Sequence, residues 1–150
     1  MKSMFHKNDA DQLTQRVQKL TPHHQPQWGS MNPTEMLLHC NMIHSYLLSA
    51  PSPSTKKTSL KEYVARWFVL YLLPHLPKNV KAPKQVHTKG LVSEEAFEKE
   101  REKFVHYIHR FLTEQPKIHH RHPYFGNLKT KQWGLACWKH NDHHLRQFGV

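Results

Sequence analysis

The sequence predicts an all-α protein, a four-helix bundle with an extra short helix or long loops, in a single domain over residues 1–150. Three observations predict it. Glycine is scarce, at 5 residues. The apolar/polar alternation of a half-buried strand is almost absent. Several segments instead repeat apolar positions at helical spacing, the pattern of a helix with one buried face. A chain of 150 residues that is 37% hydrophobic supplies one sizeable core.

Asn8 or Asp9 can cap a first helix through about Leu20, with Leu13, Val17 and Leu20 on its packing face and Thr21-Pro22 as its stop. Asn32 reads as the cap of a second helix, Pro33 to Leu48, with Pro33 at the first helical position and Glu35 closing a capping box. Residues 50–58 form a polar linker too short to separate two domains. Ser59 caps a third helix bearing Tyr63, Val64, Trp67, Phe68, Leu70, Tyr71 and Leu72. It is apolar nearly all round, as expected of a helix buried on several sides, and it can also supply a dimer surface. Pro74 and Pro77 end it. Residues 78–90, with five basic side chains counting His87, read as an exposed, mobile loop. Ser93 caps a fourth helix, Glu94 to Gln115, with the stripe Phe97, Phe104, Ile108, Phe111 and Leu112. After a histidine-rich loop from Pro116 to Asn127, Thr130 caps a last helix that runs to about Gln147 and ends at Gly149.

Lysine and arginine number 22 against 11 acidic residues, a formal charge of +11, with 15 histidines besides. Such a charge steers anionic ligands without making any function specific. No helix carries a basic stripe interleaved with stacking aromatics, so no specific nucleic-acid partner is expected. No apolar run reaches the length of a membrane span, and the first residues lack the apolar core of a secretory signal. The expectation is a cytoplasmic protein without a membrane. Cys40 and Cys137 read first as core thiols, although Cys137, three residues before His140, can approach a site there.

Histidine carries the chemistry. On the last helix Trp133, Ala136, Cys137, His140 and His144 fall at spacings of three and four, so both histidines share the buried face. Imidazoles four residues apart can converge on one metal ion. His39 supplies the third ligand: it lies between Met36 and Ile43 on the packing stripe of the second helix. Three imidazoles leave an ion with open positions for water and substrate, and suit Zn²⁺, Ni²⁺, Fe²⁺ or Co²⁺. The plainer alternative is that these are hydrogen-bonded core histidines, since a chain with 15 of them produces such a pair by chance. His143 lies partly off that face and can serve as proton acceptor. His119, His120 and His122, beside Arg121, read as a solvated, anion-attracting mouth.

The segment from Leu20 to Cys40, where a Trp28-Gly29 loop leads through Asn32-Pro33 to His39, resembles the opening of the DinB-like (YfiT-type) metal-binding four-helix bundles. The end, from His122-Pro-Tyr-Phe-Gly through Trp133 to His140 and His143-His144, looks like one short branch of that superfamily, a domain of unknown function. The resemblance implies a divalent ion, zinc, nickel or iron, held by His39, His140 and His144. It implies a thiol-dependent transferase or a hydrolase that uses a low-molecular-weight thiol and an anionic small-molecule substrate, and a homodimer. The alternative is a non-catalytic metal-binding or stress-response protein.

Overall fold

Among the described residues five α-helices form the framework: α1 (Lys7–Val17), α2 (Pro33–Leu48), α3 (Leu60–Trp67), α4 (Phe97–Glu114) and α5 (Thr130–Gln147). The computed structural model describes residues 1–50, 54–78, 80 and 84–150. The protein is mostly helical, with a small antiparallel sheet of β1 (Arg121–His122) and β2 (Gly126–Asn127). Much of the predicted linker, residues 51–53, and part of the basic loop, 79 and 81–83, lie outside the described residues.

The capping box predicted for α2 forms, and the predicted Ser59 cap of α3 proves to be part of a second one. The Asn32 side chain accepts the Glu35 N–H at 2.8 Å while Glu35 Oε2 accepts the Asn32 N–H at 2.9 Å. Ser59 and Glu62 make the same exchange at the start of α3. Each box satisfies two of the N–H groups that a helix start leaves open. The first helix differs from expectation: it starts at Lys7, ends at Val17 and has no side-chain cap. Asp9 instead accepts the Ser3 N–H at 2.9 Å, fastening the residues before the helix to its first turn. In α5, Thr130 is already helical, and the Gln132 side chain reaches back to the Lys129 N–H at 3.0 Å.

α2 packs on α4, α4 on α1, and α1 on α5. Phe104, Ile108 and Phe111 of the predicted α4 stripe join Leu13 and Val17 of α1, Met36 and Cys40 of α2, and Leu145 of α5 in one buried cluster. Full burial of each such side chain contributes about 1.5–3 kcal/mol.

The third helix overturns its expectation. It is not buried on several sides. Among its large apolar residues and those of the following turn, Phe68–Leu72, Leu70 alone is buried. That turn is a wider, π-type one closed by Leu73 N–H to Phe68 O at 3.0 Å. The helix buried on several sides is α2, whose Glu35, His39, Asn41 and His44 lie inside together with its apolar residues. Burial of those polar groups depends on partners. Asn41 Nδ2 donates to the Glu100 carbonyl at 2.8 Å and to its carboxylate at 2.9 Å, and His44 Nε2 lies 3.1 Å from Asn141 Oδ1.

The hairpin was not foreseen either, because strands of two residues are too short to show alternation. It is held to the start of α3 by Asn127 N–H to Thr58 Oγ1 at 3.0 Å and by the Arg121–Glu62 ion pair. Gly126 sits at φ 69°, and a Cβ there would meet Thr58 Oγ1 at 2.7 Å, so both conformation and space require glycine. Among the described residues, no helix is long and apolar enough to cross a membrane.

Candidate metal centre

His39 stands mid-way along α2 and His140 and His144 one turn apart on α5, and the fold turns these three rings toward one another. Their centroids lie 5.1 Å (His39–His140), 4.8 Å (His39–His144) and 4.5 Å (His140–His144) apart. One ring nitrogen from each falls within 4.8 Å of the others. His39 and His144 are buried, and His140 is half-buried.

Hydrogen bonds decide which nitrogens are free. His39 Nδ1 lies 2.7 Å from the Val86 carbonyl, and a carbonyl can only accept, so Nδ1 carries the proton and Nε2 a lone pair. His144 Nδ1 meets Gln147 Oε1 at 2.9 Å, while the Gln147 amide nitrogen donates to the Trp28 carbonyl at 2.6 Å. That second bond fixes the amide orientation, leaving Oε1 to accept from His144. Partners of this kind orient metal-ligating imidazoles and raise their basicity. His140 Nδ1 is buried with no hydrogen-bond partner, and its Nε2 lies 3.1 Å from His39 Nε2. If His140 Nε2–H donates across that gap, the Nδ1 lone pair stays unsatisfied; if Nδ1 holds the proton, two lone pairs face each other. An ion between them resolves the clash of lone pairs. Metal–nitrogen bonds of about 2.1 Å set ligand nitrogens about 3.0–3.4 Å apart around an octahedral or tetrahedral ion, which the 3.1 Å separation matches.

Electrostatics keep all three rings neutral, as ligation requires. Burial lowers the pKa of His39 against the opposing effect of its bond to Val86. Burial, reinforced by the neighbouring His144 and His39, holds His140 well below the ordinary imidazole range. Burial and then His39 bring His144 to about 3.

The remaining expectations divide. His143 lies edge-on to His144 with centroids 5.2 Å apart, and 5.4 Å from the Trp28 ring, so it borders the triad. Burial lowers its pKa, against a hydrogen bond to the Leu76 backbone that raises it. Lys78 Nζ stands 4.3 Å above the Trp28 ring. Cys137 does not turn to the triad: its Sγ meets Asn141 Nδ2 at 3.9 Å, and burial pushes its thiol up to about 12. Cys40 is likewise buried and raised, so both are core thiols.

The predicted histidine-rich mouth is corrected at His120 and His122, while His119 is exposed as expected. His120 is buried with its ring 4.1 Å from Tyr46. His122 stacks on Phe125 at 4.1 Å, its Nδ1 accepts the N–H groups of Tyr124 and Phe125, and burial lowers it to about 4. The basic loop is exposed over most of its described residues, as expected, but is fastened to α2: the Val86 carbonyl orients His39, the buried Thr88 hydroxyl donates to the Glu35 carbonyl at 2.8 Å, and the Gly90 N–H to the Glu35 carboxylate at 2.6 Å. Sequence reasoning missed Val86 and Gln147. Only Gln147 gave a signal, three residues beyond His144 on the same helix face.

Over residues 2–149 the sequence matches a protein family of unknown function, DUF1569. The chain belongs to the DUF1569 family. No curated protein and no solved structure matches it. The DUF1569 match spans every residue of the triad together with Trp28, Val86 and Gln147.

Proposed function

We propose that this DUF1569 protein is a small cytoplasmic metal-dependent enzyme with a DinB-like four-helix bundle, in which His39, His140 and His144 hold a divalent zinc, nickel or iron ion. The observation that carries this reading is the pair of facing Nε2 atoms at 3.1 Å, one of them fixed as a lone pair by the Val86 carbonyl. A bound ion of this kind supplies Lewis acidity that lowers the pKa of a coordinated water or thiol. The chain's own residues do the rest. Val86 and Gln147 hold two rings in their ligating tautomer, and the apolar surroundings keep all three rings unprotonated at neutral pH. His143 stands beside His144 as the proton acceptor. Lys78 and the Trp28 ring lie on the same side as His143 and suit an anionic small molecule, with a low-molecular-weight thiol as co-substrate of a transferase or water as that of a hydrolase.

One observation favours a non-catalytic protein instead. His44 and His120 are also buried, so this chain does place histidines in its core outside the triad. Metal content separates the two readings. Mass spectrometry of untagged protein is expected to find about one ion per chain, lost in His39→Ala and in His140→Ala. Full metal content in His140→Ala sinks the site assignment. No ion after reconstitution with zinc, nickel and iron sinks the enzyme reading as well.

A further inference from the structure

α3 and its final turn set large apolar side chains outward in two neighbouring rows. Leu60, Val64, Phe68 and Leu72, four residues apart, are between 47% and 78% exposed, and beside them run Tyr63, Trp67 and Tyr71, also exposed and four apart. The face is held from beneath: Leu70 is buried, and Lys139 of α5 donates to the Val69 carbonyl at 2.8 Å and to the Leu73 carbonyl. Charge is sorted about it. Of the 11 acidic residues, Asp9 and Asp11 stand on α1 and six glutamates from Glu94 to Glu114 on α4 and the turn before it, elements that pack on each other, whereas the final turn of α3 rests on α5. Lys7, Arg101, Lys103 and Arg110 offset four of those acids in ion pairs. Glu35 and Asp142 are buried, and Glu62, the acid on α3, is paired with Arg121. Near the apolar face stand Lys56, Lys57, Lys61, Lys129 and Lys131, all exposed and none in an ion pair among the described residues. The first two lead into α3 and Lys61 lies on it. The last two fall in the chain between Asn127, whose carbonyl accepts from Arg66, and Gln132, whose amide donates to the Tyr71 hydroxyl at 3.2 Å.

We propose that this face docks on an anionic lipid surface, with Leu60, Val64, Phe68 and Leu72 inserted at the acyl boundary, Tyr63, Trp67 and Tyr71 at headgroup depth, and the five lysines on the lipid anions. An apolar helix face bordered by unpaired cations is the form of a helix that lies in such an interface. Tyrosine and tryptophan prefer that boundary, where the ring is covered and its polar end stays wet. The length suits lying flat: a helix of 8 residues and a turn of 5 reach about 20 Å at 1.5 Å per residue, short of the about 30 Å of a bilayer core. No described helix crosses a membrane, and this mode requires no crossing. Charge separates a lipid surface from a second copy of the chain as the occupant. Two copies meeting here would face five unpaired lysines with five more, each on a chain of +11, whereas an anionic leaflet attracts every one of them within a Debye length, about 10 Å at 0.1 M salt. The docking is independent of the metal reading, since no triad residue lies on α3.

Untagged protein is expected to co-sediment with phosphatidylcholine vesicles that carry phosphatidylserine and not with phosphatidylcholine alone, roughly tenfold more weakly at about 0.5 M salt than at about 0.1 M. Replacing Trp67→Ser together with Phe68→Ser keeps the charge at +11, and because both side chains are exposed the circular-dichroism spectrum should not change, while binding falls roughly tenfold or more. Lys57→Gln and Lys61→Gln should each weaken binding about fivefold, and Leu91→Ser, exposed but off the face, should bind as the wild type does. Absence of phosphatidylserine-dependent binding overturns the proposal. Equal binding by the folded double serine variant overturns it too, leaving only the general attraction of a +11 protein for anions. Should that variant fail to fold, unchanged binding in Lys57→Gln with Lys61→Gln has the same force. A wild type that ignores vesicles and sediments as a dimer, with the dimer lost in the serine variant, overturns it in favour of a second copy.

Discussion

α2 and α3 exchange the roles that their compositions suggest. α2 carries Glu35, His39, Asn41 and His44 and is buried on several sides; α3 and its final turn are almost wholly apolar and lie at the surface. The difference teaches that burial follows from what the neighbouring elements offer. Asn41 finds a carbonyl and a carboxylate on α4, His44 finds Asn141 on α5, and Glu35 finds the Asn32 N–H at the start of its own helix and the Gly90 N–H. Glu35, Asn41 and His44 each have a specific partner, and losing it would strand a buried polar group, which makes α2 costly to disturb. The outward face of α3 stays exposed.

The largest effect belongs to α2. Asn41→Leu removes two hydrogen bonds and leaves the buried Glu100 carboxylate with Lys103 alone, which should lower stability by about 3–4 kcal/mol in urea denaturation. A loss below about 1 kcal/mol would show that the α2–α4 polar contact is incidental. The next test lies within the α3 segment itself. Leu70→Ala should cost about 2–4 kcal/mol, because that side chain is packed, whereas Leu72→Ala, two residues on and 52% exposed, should stay within about 0.5 kcal/mol when measured dilute enough for single chains. Equal losses would erase the contrast between the two faces.

Taken per group and per pH unit, the smallest effect is also the most graded, a slope in pH. Burial lowers His44 to about 3 and His122 to about 4, while the unfolded chain takes up these protons near pH 6.5. Stability is therefore complete above about pH 6.5 and falls as the pH drops toward those values, by about 1.4 kcal/mol per pH unit for each group. Thermal melts between pH 7 and 4.5 check the sign, and His44→Leu should flatten the slope by about one proton.

Helix positions were largely legible, because capping and periodicity are local: Asn32-Pro33 with Glu35 marks the start of α2 in the sequence and in space. Spacing alone also suffices to put His140 and His144 on one face of α5, and the fold brings His39 to the same place. What spacing does not carry is the company those rings keep. Val86 arrives from a loop 47 residues after His39, through a contact set by the tertiary fold alone. The exposure of α3 was equally hidden, since an apolar stripe records that a surface must be covered and not what covers it. His120 misled for the same reason: its polar neighbours in sequence are replaced in space by Tyr46.

The bond pattern of the triad has a bearing on how the protein is made. His39 and His140 are separated by 101 residues, and Val86, which orients the first, lies between them. During synthesis α2 emerges with a buried-type histidine whose two nitrogens have neither of their final partners. That helix has its glutamate partnered by Asn32 and Gly90 and one nitrogen of His39 by Val86, but its asparagine and His44 find their partners only on α4 and α5. Contacts of such sequence separation form slowly and late. The nascent chain therefore passes through a stage in which its most interior helix is its most unsettled one, and translation through α5 is the event that makes the centre whole.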